Sequence, residues 1–323
     1  LSGEARWMGA AIALGERGRG RTAPNPNVGC VIVANDVVVG RGWTQPGGRP
    51  HAEQMALDEA REAALGATAY VTLEPCCHAS PRGPACADLL AESGVARVVA
   101  SLEDPDPRVS GGGLQRLRAA GIAVEVGPGA EAAARSMAGF LTRQRLGRPC
   151  VTVKLALSLD GKIALPSGES RWITGEGARA HVHLERARSD MILVGRGTYE
   201  ADKPKLDVRL PGLEEASPRR ALLTRGEPVE GWTRLSAPED VFALADVNDL
   251  LVEGGSATAS AFLAADLVDR LLIYRAPILI GEGKSSVGYI GVASLADAHG
   301  RWRLADERRL GIDRLEVYER VRT

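Results

Sequence analysis

An alternation of short β-type runs with helical patterns, occurring twice and separated by one break, constrains this chain more than any other feature. In the first half, "VGCVIV" (28–33) and "VVVGR" (37–41) flank the turn signal Asn35-Asp36 and read as a hairpin. The runs "ATAYVTL" (67–73), "VARVVAS" (95–101) and "IAVEV" (122–126) then interleave with helical patterns over 52–65, 87–93 and 114–120. A helix over 5–17, with Trp7, Ala11 and Leu14 at helical spacing and Gly18 as its stop, opens the half, and a helix over 130–145 closes it. Such a pattern buries its apolar faces as an α/β sandwich with a largely parallel half-sheet. The break comes at "LGRPC", where Gly147 and Pro149 interrupt the pattern, which predicts domains over 1–146 and 147–323.

The second series has β runs at 151–157, 190–195, 220–224, 249–255 and 270–279, with helices near 175–188 and 257–265, and predicts another α/β domain. The segment 203–218, rich in Pro, Gly and charge, reads as a long loop of the kind that often carries function. A length of 323 residues suits two domains, each with its own core. Forty basic against forty-one acidic residues leave a net charge of −1, which argues against nucleic acid or an acidic membrane as partner and for a small molecule. With no apolar run of eighteen residues and no leader-like start, a soluble, cytoplasmic protein is expected; the start at Leu1 rather than Met reads as a sign of missing residues. Three of the five cysteines fall within 76–86, a crowding that points to a reduced compartment and not to a disulfide framework.

That crowding belongs to a metal-type constellation. "HAE" (51–53) stands where a loop meets a helix, and Pro75-Cys76 is followed by Cys86 at the head of another helix. One imidazole and two thiolates, from His51, Cys76 and Cys86, give Zn²⁺ three ligands and leave the fourth position for water, the open site that catalysis needs. Zinc acidifies such a water toward neutral pH, and a proton must then reach the departing amine. Glu53, two residues from a ligand, is the natural shuttle, as in zinc deaminases. Cys77, next to Cys76, is expected to project away; His78 as a fourth ligand would close the site. Asn27, just before a strand in "APNPNVGCVIV" (23–33), is a candidate to read a heterocycle with its amide, although Pro24, Pro26 and Gly29 also make this a turn. Cys30 reads as buried in a strand, and Cys150 falls at the junction. His181 and His183, two apart on a helix, face different ways and read as a solvated face, not a metal pair.

"PNPNVGCVIV", "HAE", "ATAYVTLEPC", "GVARVVAS" and "DPDPRVSGGG" resemble the amino-terminal half of the bifunctional riboflavin-biosynthesis deaminase-reductases. "KLALSLDGKIALPSGESRWIT" (154–174), "YEADKPKLDVR" (199–209) and "VEGGSATASAFLAADLVDRLLIY" (252–274) resemble their reductase half, in the same order. The resemblance implies a cytidine-deaminase-like α/β/α sandwich followed by a dihydrofolate-reductase-like α/β domain. It implies zinc-dependent deamination of a phosphoribosylaminopyrimidine and NADPH-dependent reduction of its ribosyl group to ribityl, by a homo-oligomer, dimer or tetramer. Carried onto matching positions, it makes His51, Cys76 and Cys86 the zinc ligands and Glu53 the proton donor. It assigns substrate contacts to Ser170, Arg186, Leu206, Arg209 and Glu253. It assigns NADPH contacts to Ala156, Trp172, Thr198, Asp202, Thr224 and the turn beginning Gly255-Ser256. Arg186 and Arg209 offer forked donors to a phosphate, and Gly254-Gly255 before a helix lets backbone amides approach a pyrophosphate. Lys154 is a candidate to hold the opening ribose with Glu253.

The chain departs from the family pattern in two places. The stretch "PCCHASPRGPAC" is one residue longer than the family's and lacks its Gly-Arg/Lys-Thr order. "RRALLTRG" lacks the acid-Ser ending expected of its strand, which leaves the choice of NADPH over NADH open, and the segment from Arg209 to "VEGG" is short. Two other readings remain. A nucleobase or tRNA deaminase with an accessory domain predicts a basic face; a non-catalytic, zinc-stapled oligomerisation protein predicts metal without ammonia release.

Overall fold

A computed structural model describes residues 3–78 and 81–322. The chain divides into two compact units, up to Gly147 and from Arg148 onward.

The amino-terminal unit runs α1 (Gly3–Gly15), β1 (Gly29–Ala34), β2 (Val37–Trp43), α2 (Ala52–Ala60), β3 (Thr68–Val71), α3 (Cys86–Glu92), β4 (Arg97–Ala100), α4 (Gly112–Ala119), β5 (Ala123–Val126), α5 (Ala130–Ser136) and α6 (Ala138–Leu146). Its sheet has the order β2-β1-β3-β4-β5; β1 is antiparallel to β2 and β3, and β3, β4 and β5 are parallel. Both hairpin residues Asn35 and Asp36 are left-handed (φ 49° and 59°), which matches the turn to the strand twist. Successive residues of β1 point to opposite faces. Cys30 and Ile32 join Ala52, Ala56, Leu90 and Leu117 on one side, whereas Val31 and Val33 meet Trp7, Met8 and Ala11 of α1 on the other. Helices thus cover both faces.

Two of the expected helices are interrupted. The pattern over 52–65 stops at Ala60, where Arg61 turns left-handed (φ 49°) before a 3₁₀ turn. The pattern over 130–145 breaks at buried Met137, between α5 and α6. At that break the Ser136 carbonyl accepts from the Asn27 side chain at 3.3 Å, a tertiary contact that local propensity does not register.

The carboxyl-terminal unit runs β6 (Cys150–Leu157), β7 (Lys162–Ala164), α7 (Glu176–Ala187), β8 (Met191–Gly195), α8 (Arg196–Asp202), β9 (Arg219–Leu223), β10 (Thr233–Leu235), β11 (Asp249–Val252), α9 (Ser256–Ala264), β12 (Arg270–Arg275), β13 (Lys284–Ser285), α10 (Leu295–Ala298), β14 (Trp302–Leu310) and β15 (Asp313–Arg320). Eight strands form one sheet, β10-β9-β8-β11-β6-β12-β15-β14, parallel from β10 to β12 and antiparallel beyond. The central strands β8 and β11 are buried throughout, as continuous apolar runs require. The β14–β15 hairpin had no apolar run to announce it: β14 is "WRLADERRL", an edge strand whose charges suit an unpaired rim. Within 203–218 the only regular piece is a 3₁₀ turn at Glu214–Ala216. No helix among the described residues is long and apolar enough to cross a membrane.

Candidate active sites

In the amino-terminal unit the site is built by one close approach. A Cβ on Gly42 would stand 2.0 Å from the Ala52 carbonyl, and one on Gly40 2.1 Å from that of Ala56, so only glycines let β2 lie this close to α2. His51 is the residue capping α2, and its side chain makes no capping bond; Glu53 lies in the first turn and is buried. The loop after β3 brings in Cys76, and Cys86 begins α3. His51 Nδ1 lies 3.2 Å from Cys86 Sγ and 3.7 Å from Cys76 Sγ, and all three ligating atoms fall within 4.8 Å of one another. A tetrahedral zinc with the usual bond lengths spaces such atoms by about 3.6 Å. The donor set therefore fits the metal, and it is the one such cluster among the described residues.

The protonation of the site also fits. The Cys86 N–H donates to Cys76 Sγ at 3.4 Å. The Cys86 thiol holds Cys76 well below the ordinary thiol value while its own is pushed up by that same bond and by burial, so the two sulfurs share a proton that a metal would displace. Burial pushes Glu53 up to about 7, against the opposing charge of His51 and with the repulsion of Cys76 adding to it. A carboxyl in that range both accepts and gives up a proton near neutral pH.

His51, Glu53 and Cys76 line a cleft of about 270 Å³. Its wall includes Asn25, not Asn27. The Asn27 amide is buried and donates to the Gly15 carbonyl and to the carbonyl and hydroxyl of Ser136, each at 3.3 Å. The expectation for Asn27 is thereby corrected: its amide is consumed in joining α1 to α5, and the neighbouring asparagine faces the cleft. Cys77 turns away, its thiol directed to the Arg108 carbonyl at 3.6 Å. His78 is not in the metal cluster and lines the cleft. Ala79 and Ser80 of the lengthened loop lie outside the described residues.

Sequence reasoning missed the cations of this cleft. Arg49, Arg82, Arg108 and Arg143 all line it, from four separate segments. Arg82 donates to the Gly47 carbonyl (2.7 Å) and Arg49 to that of Pro84 (3.3 Å), which ties the lengthened loop to the turn before α2. Arg108 grips Asp106 with Nε and Nη2. Behind the ligands, the buried Glu74 carboxylate accepts four backbone N–H bonds, from Asp104 and Gly111 on one oxygen and from Gly113 and Leu114 on the other.

The carboxyl-terminal unit holds a larger cleft, of about 1130 Å³. Lys154 and Ala156 of β6, Ser170, Trp172, Arg186 of α7, Thr198 and Asp202 of α8, Leu206, Arg209, Glu253, Gly255 and Ser256 all line it. Arg186 clasps Glu253 with Nε (2.7 Å) and Nη2 (3.0 Å) and donates Nη1 to the Asp207 carbonyl (3.0 Å). Lys154 Nζ stands 3.7 Å from Glu253. Burial opposes ionisation of Glu253, but Lys154 and Arg186 outweigh it and hold its carboxyl below the usual range. Leu206 is buried in a left-handed conformation (φ 57°), and Trp172 is exposed beneath the Arg179 guanidinium, 4.6 Å from its ring centre.

Two expectations for this unit need correction. Thr224 is buried and does not line the cleft; its hydroxyl accepts from Arg196 Nε and from the Gly226 N–H, a corner closed by side chains from α8 and the β9 turn. His181 and His183 are not a solvated face. His181 is half-buried against the Tyr274 hydroxyl at 2.8 Å, and His183 lines the cleft, where Nδ1 accepts the Arg209 N–H at 3.3 Å. Burial first, then Arg186 and Arg209, keeps His183 below its ordinary value. The two histidines do face different ways.

Two family models match the chain, one in each unit. Residues 2–102 match the cytidine and deoxycytidylate deaminase zinc-binding region, and residues 149–238 and 238–313 match the RibD C-terminal domain. The riboflavin biosynthesis protein RibD of Escherichia coli K12 is 40% identical over 95% of this chain and 96% of its own length; that of Mycobacterium tuberculosis H37Rv is 41% identical, with 95% of each covered. The RibD structure from Acinetobacter baumannii, form 1, has a TM-score of 0.89 at 36% identity with all of both chains covered. A diaminohydroxyphosphoribosylaminopyrimidine deaminase/5-amino-6-(5-phosphoribosylamino)uracil reductase structure from Thermotoga maritima also reaches 0.89, at 31% identity and 99% coverage of each. The fold is thus a cytidine-deaminase-like domain followed by a dihydrofolate-reductase-like one. From this match along its whole length, the chain belongs to the RibD family, the bifunctional deaminase-reductases of riboflavin biosynthesis.

Proposed function

We propose that the amino-terminal unit, 1–146, deaminates 2,5-diamino-6-(5-phosphoribosylamino)pyrimidin-4(3H)-one and that the unit over 147–323 reduces the ribosyl chain of the product. His51, Cys76 and Cys86 hold zinc, which when bound supplies an acidified water as the nucleophile. Glu53 takes the proton released as that water adds, and passes it to the exocyclic nitrogen, so that the amine departs as ammonia. Asn25 is placed to read the ring, and the arginines of the rim, Arg82 and Arg143 foremost, to hold the substrate's phosphate. The buried Glu53 beside a three-ligand cluster, in the floor of an arginine-rimmed cleft, carries the reading.

In the second cleft, Ser170 and Leu206 frame the substrate and Glu253 with Lys154 holds the opening ribose. Arg186 has its fork committed to Glu253, so it orients that carboxylate, and the exposed Arg209 is left to meet the phosphate. Ala156, Trp172, Thr198, Asp202 and the Gly254-Gly255-Ser256 turn heading α9 receive NADPH, which when bound supplies hydride to the sugar C1′.

The test of the first half is Glu53→Gln. Zinc content is expected to stay at the wild-type level while ammonia release falls by about 10²-fold or more. Wild-type release from a zinc-loaded Gln variant would overturn the assignment. For the second half, NADPH oxidation is followed with the deaminated intermediate supplied directly, and no oxidation at saturating nucleotide would overturn it.

A further inference from the structure

The loop that follows α8 is fixed through its main chain at three successive residues. Arg186 Nη1 donates to the Asp207 carbonyl (3.0 Å), the Val208 N–H donates to the Ser217 hydroxyl (2.9 Å), and the Arg209 N–H donates to His183 Nδ1 (3.3 Å). His183 and Arg186 stand one helical turn apart on α7 and so share a face, and both line the cleft beside Leu206, Asp207 and Arg209. The Arg209 side chain folds back over the same histidine. Its Nη2 stands 3.4 Å from His183 Nε2, and its Nε stands 3.8 Å from an Asp207 carboxylate oxygen.

An imidazole nitrogen that accepts an N–H bears no proton, and the proton of the ring is then on the other nitrogen. Nδ1 accepts from the main chain of Arg209, so His183 carries its proton on Nε2. Burial, then Arg186 and Arg209, keeps the ring below its ordinary value, in keeping with a single proton. Nε2–H and the Arg209 Nη2 are therefore two donors facing each other. Neither can accept from the other; one acceptor bonded to both satisfies the pair. Hydrogen bonds to an ionised oxygen run at about 2.8 Å, and two of them meet on a single oxygen when the donors stand 3.4 Å apart. The buried carboxylate of this wall, Glu253, is engaged by Arg186 and Lys154, which leaves the two donors to an anion from outside the chain. We propose that His183 Nε2–H and the Arg209 guanidinium close on one oxygen of the substrate's phosphate, which makes His183 a substrate-binding residue as well as a support of the loop. This inference rests on the reading of Arg209 as the phosphate contact and adds a second donor to it.

The experiment is the reductase assay of the full chain, with the deaminated intermediate varied at saturating NADPH. His183→Ala is expected to raise KM about tenfold, the worth of one hydrogen bond to a charged group, and to change kcat by less than about twofold. His183→Gln keeps an amide oxygen for the Arg209 N–H and an NH₂ for the phosphate, and should hold KM within about threefold of the wild type. In an Arg209→Ala background, His183→Ala should still raise KM by at least about threefold, because its bond to the phosphate does not pass through the guanidinium. Wild-type KM in His183→Ala, or no further loss in the double variant, overturns the contact and leaves the Arg209 reading standing. Unchanged KM in Arg209→Ala overturns the phosphate reading beneath it. Should His183→Ala disturb the loop, ribose 5-phosphate titrated into wild-type protein with isotope-labelled histidine reports the same contact. The Nε2 resonance that is missing from His183→Gln should shift on saturation, and a resonance that stays in place overturns the proposal.

Discussion

Replacing Glu74 by glutamine tests whether the deaminase loop is held from behind by a single carboxylate. Oε2 of Glu74 accepts from Asp104 (3.1 Å) and Gly111 (2.9 Å), and Oε1 from Gly113 (2.9 Å) and Leu114 (3.2 Å). Glutamine keeps the shape but presents an NH₂ where one oxygen stood, so two of the four N–H groups face a donor. A buried donor left without its acceptor costs roughly 1–3 kcal/mol, which for two of them puts the loss at about 4 kcal/mol. In a domain near 150 residues, each kcal/mol lowers Tm by about 2–4 °C, so the amino-terminal unit should melt roughly 10 °C earlier. Calorimetry of the zinc-loaded chain measures this, and hydrogen exchange over 103–114 localises it. Unchanged Tm together with unchanged exchange at those amides would refute the claim that Glu74 holds the loop.

The geometry fixes three further outcomes. Gly42→Ala puts a methyl 2.0 Å from the Ala52 carbonyl, between His51 and Glu53 in sequence; overpacking of about 1–3 kcal/mol or more should cost zinc content and ammonia release while NADPH oxidation by the other unit persists. Arg186→Ala leaves the buried Glu253 with Lys154 alone, 3.7 Å away, and should destabilise the carboxyl-terminal unit by about 3 kcal/mol in urea titration and raise KM in the reductase assay. Stripping metal with dipicolinate should abolish deamination, restored by added zinc, without slowing reduction of the deaminated intermediate; parallel loss of both activities would contradict independent sites.

The ligand set and the alternating elements were legible because each depends on residue type at short range. A hairpin needs two left-handed residues and Asn35-Asp36 supplies them; an open zinc site needs soft donors beside an acid, and "HAE" with two cysteines supplies those. The β14–β15 hairpin was not legible, since charged edge strands carry no apolar period. The split between α5 and α6 was hidden for another reason, its distant partner Asn27.

Side-chain orientation was settled by tertiary contacts. Asn25 and Asn27 are alike in sequence, yet one faces the cleft and the other spends its amide on Gly15 and Ser136. The four arginines lining the amino-terminal cleft come from segments as far apart as Arg49 and Arg143, and no local pattern marks them as one group. Thr224 and His183 exchanged their expected places in the same way, one withdrawn behind Arg196 and the other brought to the cleft wall by the Arg209 main chain. Residue type along the chain was enough to pick out a soft-donor cluster, His51, Cys76 and Cys86, beside an acid. Which polar groups remain free to meet substrate depended on long-range hydrogen bonds, because a buried donor or acceptor is satisfied by whichever partner the fold brings within reach.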